Sequence, residues 1–246
     1  MLATKVRDFL SVSGHTILIG GVEHWACVVD AGANRGRFSE TLREILPGDY
    51  HAVEANPDLV GALQRKPFSS VRHYAISARN EPVILRIARN DEGSSLLQLP
   101  PVSQYNAVEV DRVTVPGCTL NRLLDEIPGT TIDLVKLDIE GAEVVALQGA
   151  TPCTLRRVGQ LSIEFHSHES FGFGLRSETK DVIHKLRRCG FLVLDFGLDH
   201  SDVLCVNRDL LSVSKRQIMA WSIVAATRRW TRKLAHLFSG LKRPIH

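Results

Sequence analysis

Two groups of residues in this chain have the types and spacing that ligand binding and catalysis require. The first is a short turn, Asp30-Ala-Gly-Ala-Asn-Arg-Gly36, in which two glycines follow an apolar stretch. The second is a set of carboxylates with one imidazole, namely Asp138, Glu140, Glu164 and His166. Glycines let a ligand approach the backbone closely, and carboxylates with an imidazole can bind hydroxyl groups and move protons. The sequence therefore predicts a ligand-binding turn and an acid–base cluster.

The charges around the turn indicate which ligand it binds. A dinucleotide-binding turn reads Gly-x-Gly-x-x-Gly, but here Asn34 stands at the middle position, where a pyrophosphate would approach. The carboxylate of Asp30 suits a ligand with an amine better than it suits a pyrophosphate. S-adenosylmethionine (SAM) has a sulfonium, an amino group and no phosphate, and Glu54 can accept hydrogen bonds from its ribose. We therefore predict SAM binding by Asp30, Gly32, Asn34, Gly36 and Glu54, with Asp138 as a further contact to the cofactor.

The acid–base cluster follows two predicted strands. Asp138 comes at the end of an apolar strand, Glu140 stands two residues later, and Glu164 and His166 come at the end of the next strand. His166 is the expected general base near neutral pH, and Asp138 is the alternative base. We predict that the acceptor hydroxyls are held by Asp138, Glu140 and Glu164. A divalent metal on Asp138, Glu164 and His166 is a further alternative, but the spacing fixes no ligand geometry and we assign no metal.

These residues depend on alternating strands and helices for their positions. Short β-rich runs such as 26–30, 51–54 and 133–138 alternate with helical patterns, which predicts an α/β fold with a mostly parallel central sheet flanked by helices. Ligands bind such sheets at the carboxyl ends of the strands. Two period-two runs, 83–88 and 107–115, predict an inserted hairpin, with a long loop over 90–106 that would select the acceptor.

Several segments resemble the FkbM family of SAM-dependent methyltransferases. They are Val29-Asp-Ala-Gly-Ala-Asn-Arg-Gly-Arg-Phe-Ser39, Glu54-Ala-Asn-Pro57, Leu134-Val-Lys-Leu-Asp-Ile-Glu-Gly-Ala-Glu143, Leu147-Gln-Gly-Ala150 and Ile163-Glu-Phe-His166. The resemblance implies a class I Rossmann-like fold and O-methylation of hydroxyls on a sugar, glycan or polyketide-type acceptor. It also implies that Ala75, Ile76 and Ser77 lie beside the adenine.

The formal net charge of +3 conceals two differently charged regions. Residues 212–246 have eight basic side chains and no acidic one, so residues 1–211 have a net charge of −5. An acidic body argues against nucleic acid as a partner. The five scattered cysteines form no metal or redox motif, and no apolar run is long enough for a signal peptide or a spanning helix. These features predict a reducing, cytoplasmic location.

Three regions are expected along the chain: an N-terminal helix or lead-in over 1–25, a methyltransferase domain over 26–211, and a basic amphipathic tail over 212–246. Six apolar residues of the tail share one predicted helical face: Met219, Ile223, Trp230, Leu234, Leu237 and Leu241. This face would lie on an anionic membrane surface, giving a peripheral location at the inner face, or dock on the protein or on a partner subunit.

Three other functions remain alternatives at the level of sequence. The first is an NAD(P)-dependent oxidoreductase with a similar fold. The second is a nucleic-acid methyltransferase, which the acidic body and the absence of an Asn-Pro-Pro-Tyr/Phe type motif disfavour. The third is a non-catalytic SAM-binding scaffold protein that recruits partners through its tail.

Overall fold

A computed structural model of the chain describes residues 8–20, 25–90, 93–98, 108–167 and 173–240. The strands are β1 (Phe9–Val12), β2 (His15–Leu18), β3 (Ala26–Ala31), β4 (Gly48–Glu54), β5 (Ser70–His73), β6 (Ala75–Ile76), β7 (Val83–Ala88), β8 (Glu109–Val115), β9 (Gly117–Cys118), β10 (Ile132–Leu137), β11 (Val158–Ile163), β12 (Phe191–Asp195) and β13 (Val203–Asn207). The helices are α1 (Arg37–Arg43), α2 (Pro57–Leu63), α3 (Leu120–Asp125), α4 (Glu143–Gly149), α5 (Pro152–Arg156), α6 (Arg176–Arg188) and α7 (Lys215–Gly240).

Seven strands form the central sheet, in the order β12-β13-β11-β10-β3-β4-β5. Neighbouring strands from β11 through β5 pair in parallel, and β13 runs antiparallel to both β11 and β12. The predicted α/β, Rossmann-like fold is therefore confirmed. Because β3 and β10 are neighbours, the turn after Ala31 and the loop after Leu137 meet at one edge of the sheet.

Apolar helix faces cover both sides of this sheet. On one side Leu123, Leu147 and Val182, from α3, α4 and α6, pack with the buried strands. On the other side Phe38 and Leu42 of α1 pack with a second apolar cluster. Parallel strands buried on both faces are continuously apolar, which explains why β10 and β11 were readable from the sequence.

Local sequence signals fix where several helices begin. Asn56 caps α2 by accepting a hydrogen bond from the backbone N–H of Asp58, and Pro57 occupies the first helical position. Thr119 and Thr151 cap α3 and α5 in the same way.

The N-terminal segment differs from expectation. Instead of a helix, its described part forms an antiparallel hairpin of β1 and β2, joined through Ser13 and Gly14. Ile17 of β2 is buried in the cluster that contains Phe38. Phe9 and Val12 of β1 and all four residues of β2 are buried, so long-range packing selects a strand pair over a helix.

Two short strands follow α2. Ser70–His73 joins the central sheet, whereas Ala75–Ile76 leaves it and pairs with Gly117–Cys118. The inserted hairpin is present as β7 and β8, which pair antiparallel. Of the long loop over 90–106, residues 91–92 and 99–106 lie outside the described residues.

The C-terminal tail contains one 26-residue helix, α7. It packs on the body through Trp221 and Ala225, which join a buried cluster with Phe9 of β1 and Phe196 after β12. The predicted basic helix is therefore present and is docked against the N-terminal hairpin. Among the described residues, no helix is both long enough and apolar enough to cross a bilayer.

Candidate active site

The glycine turn follows β3 and requires unusual backbone angles. Gly32 and Gly36 have φ values of +77° and +78°, and Asn34, between them, has a φ of +47°. A Cβ atom on Gly32 would lie 1.7 Å from the carbonyl oxygen of Asp138. Glycine at this position therefore lets the turn pack directly on the loop that follows β10.

Glu54 connects the end of β4 to this turn. Its Oε2 accepts a hydrogen bond from the backbone N–H of Asn34 at 2.7 Å, and its Oε1 accepts one from Asn56 at 2.8 Å. Burial raises the pKa of Glu54 against the lowering effect of these two backbone donors. Each carboxylate oxygen has a further lone pair, so the side chain can still accept hydrogen bonds from a ribose diol.

Asp30 does not line the cavity, contrary to its predicted role as a ligand contact. Its side chain is fully buried, accepts a hydrogen bond from Ser39 Oγ at 2.7 Å, and lies 3.3 Å from Lys136 Nζ. Side chains of a strand alternate between its faces, and here Asp30 points to the buried face near α1. The contacts of Asp30 are therefore with Ser39 of α1 and with Lys136.

The other predicted cofactor residues occupy two kinds of position. Gly32, Asn34, Glu54, Ala75 and Ile76 line one open cavity at the carboxyl ends of the strands. Gly36 and Ser77 are absent from its walls: a Cβ on Gly36 would instead meet Leu63 and Phe68, and Ser77 Oγ donates to the carbonyl of Arg79. These two residues shape the adjoining turns instead.

Asp138 lies at the centre of the acid–base cluster. Its Oδ2 lies 3.4 Å from Lys136 Nζ and 3.5 Å from Nε2 of His15 on the N-terminal hairpin. The second ring nitrogen of His15, Nδ1, lies 3.3 Å from Ser162 Oγ. Burial raises the pKa of Asp138, but Lys136 and His15 outweigh burial and hold it well below its ordinary value. Asp138 is therefore an ionised and weakly basic carboxylate.

His166 is held by Glu143, the first residue of α4. Its Nδ1 lies 3.0 Å from Glu143 Oε1, while its Nε2 lies 3.3 Å from Glu140 Oε2 and 3.8 Å from Asp138 Oδ1. Glu143 is fully buried and also accepts hydrogen bonds from the backbone N–H groups of Ile139 and Gly141. The imidazole is thus fixed with Nε2 directed towards the cluster.

Crowding of carboxylates changes the proton affinities in this cluster. Burial, with the neighbouring Asp138, Glu143 and Glu164, raises the pKa of Glu140 to about 8. Burial and Asp138 also raise the pKa of Glu164. Burial lowers the pKa of His166, but Glu143, Glu140 and Asp138 outweigh it and raise the pKa well above 6.5.

These shifts change the expected behaviour of the base. The sequence suggested a neutral imidazole at His166 near pH 7, whereas the surrounding carboxylates favour the protonated form at that pH. The ring therefore becomes an available proton acceptor only in more alkaline solution, or when a cationic ligand nearby lowers its pKa.

Four residues outside the predicted set of site residues also build the site. His15 arrives from the hairpin without any motif. Glu143 matched the helix-start preference for an acid but also orients His166, and Lys136 donates to the carbonyl of Gly32 at 2.7 Å. Ser95 Oγ donates to the carbonyl of Glu140 at 2.5 Å and thereby ties the loop after β7 to the cluster. The spacing of Asp138, Glu140 and Glu143 was the available signal for Glu143.

The shared cavity has a volume of about 1160 Å³ and is lined both by the glycine turn and by Asp138, Glu140, Glu164 and His166. This volume is large enough for a nucleoside ligand together with a second molecule. Two trios in the cluster also bring potential metal ligands within 4.8 Å of one another: His15 with Asp138 and Glu164, and Asp138 with Glu140 and His166.

Fold and site together define a Rossmann-like α/β protein with a glycine turn beside an acid–base cluster. Residues 30–193 match the family described as the methyltransferase FkbM domain. The chain belongs to this family of methyltransferases, and SAM is the cofactor that membership of the family implies. An NAD(P)-dependent oxidoreductase and a scaffold without catalytic activity are accordingly not favoured.

The chain is similar to a curated protein and to several proteins of known structure. AMB antimetabolite synthetase AmbE of Pseudomonas aeruginosa is 30% identical over 131 residues, which are 51% of this chain but only 6% of that much longer protein. The structure of methyltransferase FkbM from Methylobacillus flagellatus is 16% identical, with a TM-score of 0.43, over 76% of this chain and 45% of that chain. Magnesium protoporphyrin IX methyltransferase from Synechocystis is 12% identical, with a TM-score of 0.34, over 69% of this chain and 65% of that chain.

Proposed function

We propose that this methyltransferase transfers the methyl group of SAM to a hydroxyl group on a sugar, glycan or polyketide-type acceptor. The observation that carries the proposal is the orientation of His166, whose Nδ1 is held by Glu143 while Nε2 faces the carboxylates that line the cavity. Such an arrangement suits removal of a proton from a hydroxyl group.

SAM supplies an activated methyl group when bound. The residues that would hold it are residues 32–35 of the turn and Glu54, which together present backbone groups and one carboxylate to the cavity. Lys136 stabilises the turn. It donates a hydrogen bond to the carbonyl of Gly32 and forms ion pairs with Asp30 and Asp138. Because Asp30 is fully buried, we expect other acceptors of the turn to contact the amino group of SAM.

The acceptor hydroxyl lies, in this proposal, beside Nε2 of His166. As the new carbon–oxygen bond forms and the bond from the methyl carbon to sulfur breaks, His166 takes the hydroxyl proton. Asp138, Glu140 and Glu164 accept hydrogen bonds from neighbouring hydroxyls and orient the acceptor, an effect that lowers the barrier by positioning. The positive charge of the sulfonium also disfavours protonated His166, which helps supply the base form.

A screen with labelled SAM tests the proposal. The full chain is incubated with SAM and a library of glycans, simple glycosides and polyketide-type alcohols, and products are examined by mass spectrometry for an added methyl group. We expect a methyl ether on at least one hydroxylated acceptor, formed much more slowly by His166→Ala. Methylation confined to amines or to nucleic acid would overturn the proposal.

A further inference from the structure

Helix α7 is attached to the body by one face only. Trp221 and Ala225 are each 4% exposed, and Trp221 Nε1 donates to Asp8 Oδ2 at 3.2 Å. Further along, Arg232 Nη1 lies 3.1 Å from Asp202 Oδ2 and donates to the carbonyl of Phe196. These contacts fix the rotation of the helix about its axis.

The opposite face of α7 is apolar and exposed. Ile223 follows Trp221 by two residues and therefore lies about 160° away around the helix axis. Five large apolar side chains on this face are between 45% and 64% exposed: Met219, Ile223, Trp230, Leu234 and Leu237. They are half of the large exposed apolar side chains in the part of the chain that the structure describes, so they form a concentrated patch. We name these five residues the outer face.

The expected apolar stripe therefore docks on nothing within the described chain. The sequence left open whether this stripe packs on the protein, and the structure shows that a different face, with Trp221 and Ala225, does so. The outer face remains available to another surface. Leu241, the last residue of the expected stripe, lies outside the described residues.

Cations border the outer face. Lys215, Arg216 and Lys233 are exposed, and α7 contains no acidic residue. Lys215 precedes Met219 by four residues, and Lys233 precedes Leu237 by four. At about 100° per residue, each lysine therefore lies only about 40° around the helix axis from its apolar neighbour. Lys233 Nζ lies 5.5 Å from the ring centre of Trp230, so its aliphatic part lies along the apolar patch.

We propose that the outer face of α7 binds the surface of an anionic phospholipid bilayer, with the helix lying in the plane of the headgroups. Apolar side chains would enter the boundary between headgroups and acyl chains, Trp230 would sit at that boundary, and the lysines would contact lipid phosphates. Cations without any acid complement a uniformly anionic surface better than the mixed charges of a protein surface. This binding does not depend on methyl transfer.

A different face of α7 borders the cavity. His236 on α7 lines the same cavity as Glu164 and His166. His236 lies about 100–160° around the helix axis from the residues of the outer face, so the helix would separate a bound membrane from the cavity.

Vesicle co-sedimentation with the full chain tests the proposal. Vesicles of phosphatidylcholine with added phosphatidylglycerol should bind the protein, pure phosphatidylcholine vesicles should bind it much less, and added salt should release it. The triple variant Ile223→Ser, Leu234→Ser, Leu237→Ser should bind these vesicles at least about tenfold more weakly than the wild type. Its circular dichroism and thermal unfolding should match the wild type, because these side chains are exposed.

A matched control replaces three exposed apolar residues elsewhere, Ile45, Ile84 and Val110, which are 50%, 53% and 54% exposed, with serine. This control should bind vesicles as the wild type does. Equal loss in both triple variants, or wild-type binding by the α7 variant, would overturn the proposal. A concentration-dependent dimer that the α7 variant loses, without vesicle binding by the wild type, would overturn it in favour of a second copy of the chain.

Discussion

His15 and Asp138 are separated by 123 positions in the chain, yet His15 Nε2 lies 3.5 Å from Asp138 Oδ2. The N-terminal hairpin thus contributes an imidazole to a cluster whose other members follow β10 and β11. His15 is 1% exposed, and its ring also contacts the ring of Phe38 edge-on. The hairpin is therefore part of the candidate active site as well as of the core.

The His15 contact leads to a prediction about turnover. His15→Phe keeps an aromatic ring beside Phe38 but removes the contact with Asp138, so kcat should fall about tenfold while the Kd for SAM changes by less than about twofold. Steady-state kinetics and calorimetry measure the two effects. An unchanged kcat in a correctly folded variant would show that His15 has a packing role only.

A second prediction concerns SAM affinity. Glu54→Gln replaces one accepting oxygen by an amide group that faces the backbone N–H of Asn34 or Asn56, so SAM binding should weaken by about 10–100-fold. Isothermal calorimetry measures the affinity. Glu44→Gln, an exposed position at the end of α1, serves as the control and should bind SAM normally. Similar affinities of Glu54→Gln and the wild type would remove Glu54 from the cofactor site.

The third prediction concerns the pH dependence of catalysis. Proton transfer to His166 requires its neutral form, and the carboxylates raise its pKa well above 6.5, so kcat should increase as the pH rises above neutrality. Glu143→Gln removes the largest of these raising influences and should move the increase to lower pH. A pH profile with the same midpoint in both proteins would contradict the role of Glu143.

The fourth prediction concerns stability, with its direction set by Glu140 and His166. The folded protein retains a proton on Glu140 up to about pH 8, whereas the unfolded chain loses it near pH 4.5. Stability from this group therefore falls as the pH rises between these values, and the contribution of His166 is lost as the pH rises through its raised pKa.

Glu140→Gln isolates the first effect. Between about pH 5 and pH 8 the free energy of unfolding should fall less in the variant than in the wild type. The two decreases should differ by about 1–2 kcal/mol. Urea unfolding at several pH values measures the difference. Parallel curves for both proteins would indicate an ordinary proton affinity at Glu140.

The fifth prediction tests the contact between turn and loop. Gly32→Ala would bring a Cβ atom to 1.7 Å from the Asp138 carbonyl oxygen at a positive φ, so it should lower the free energy of unfolding by about 3 kcal/mol or more. Gly149→Ala has open space around its Cβ and should be tolerated. Equal stability of the two variants would contradict the packing described here.

The sequence was most informative where local pattern and structure coincide. Continuous apolar runs such as β10, and the capping pair Asn56 and Pro57, specify their elements through nearby residues. The hairpin of β1 and β2 was missed because its partners, including Phe38 and Gln160, lie far along the chain. The apolar stripe of α7 was visible, but which face docks is decided by Phe9 and Phe196.

The same distinction applies to the candidate site. Residues at strand ends, such as Glu54, Asp138 and His166, could be placed because parallel strands end at one edge of the sheet. The orientation of Asp30 depends on Ser39 and Lys136, and the proton affinity of His166 depends on carboxylates from several elements. Spacing in the sequence contains neither kind of information.

The most direct test of the proposed reaction follows the methyl group itself. The full chain is given SAM with an isotopically labelled methyl group and the best acceptor from the screen, and the product is analysed by NMR alongside the reaction of His166→Ala. We expect a methyl ether signal that forms about 10²–10⁴-fold more slowly in the variant. Label on nitrogen or carbon, or equal rates in the two proteins, would contradict O-methylation with His166 as the base.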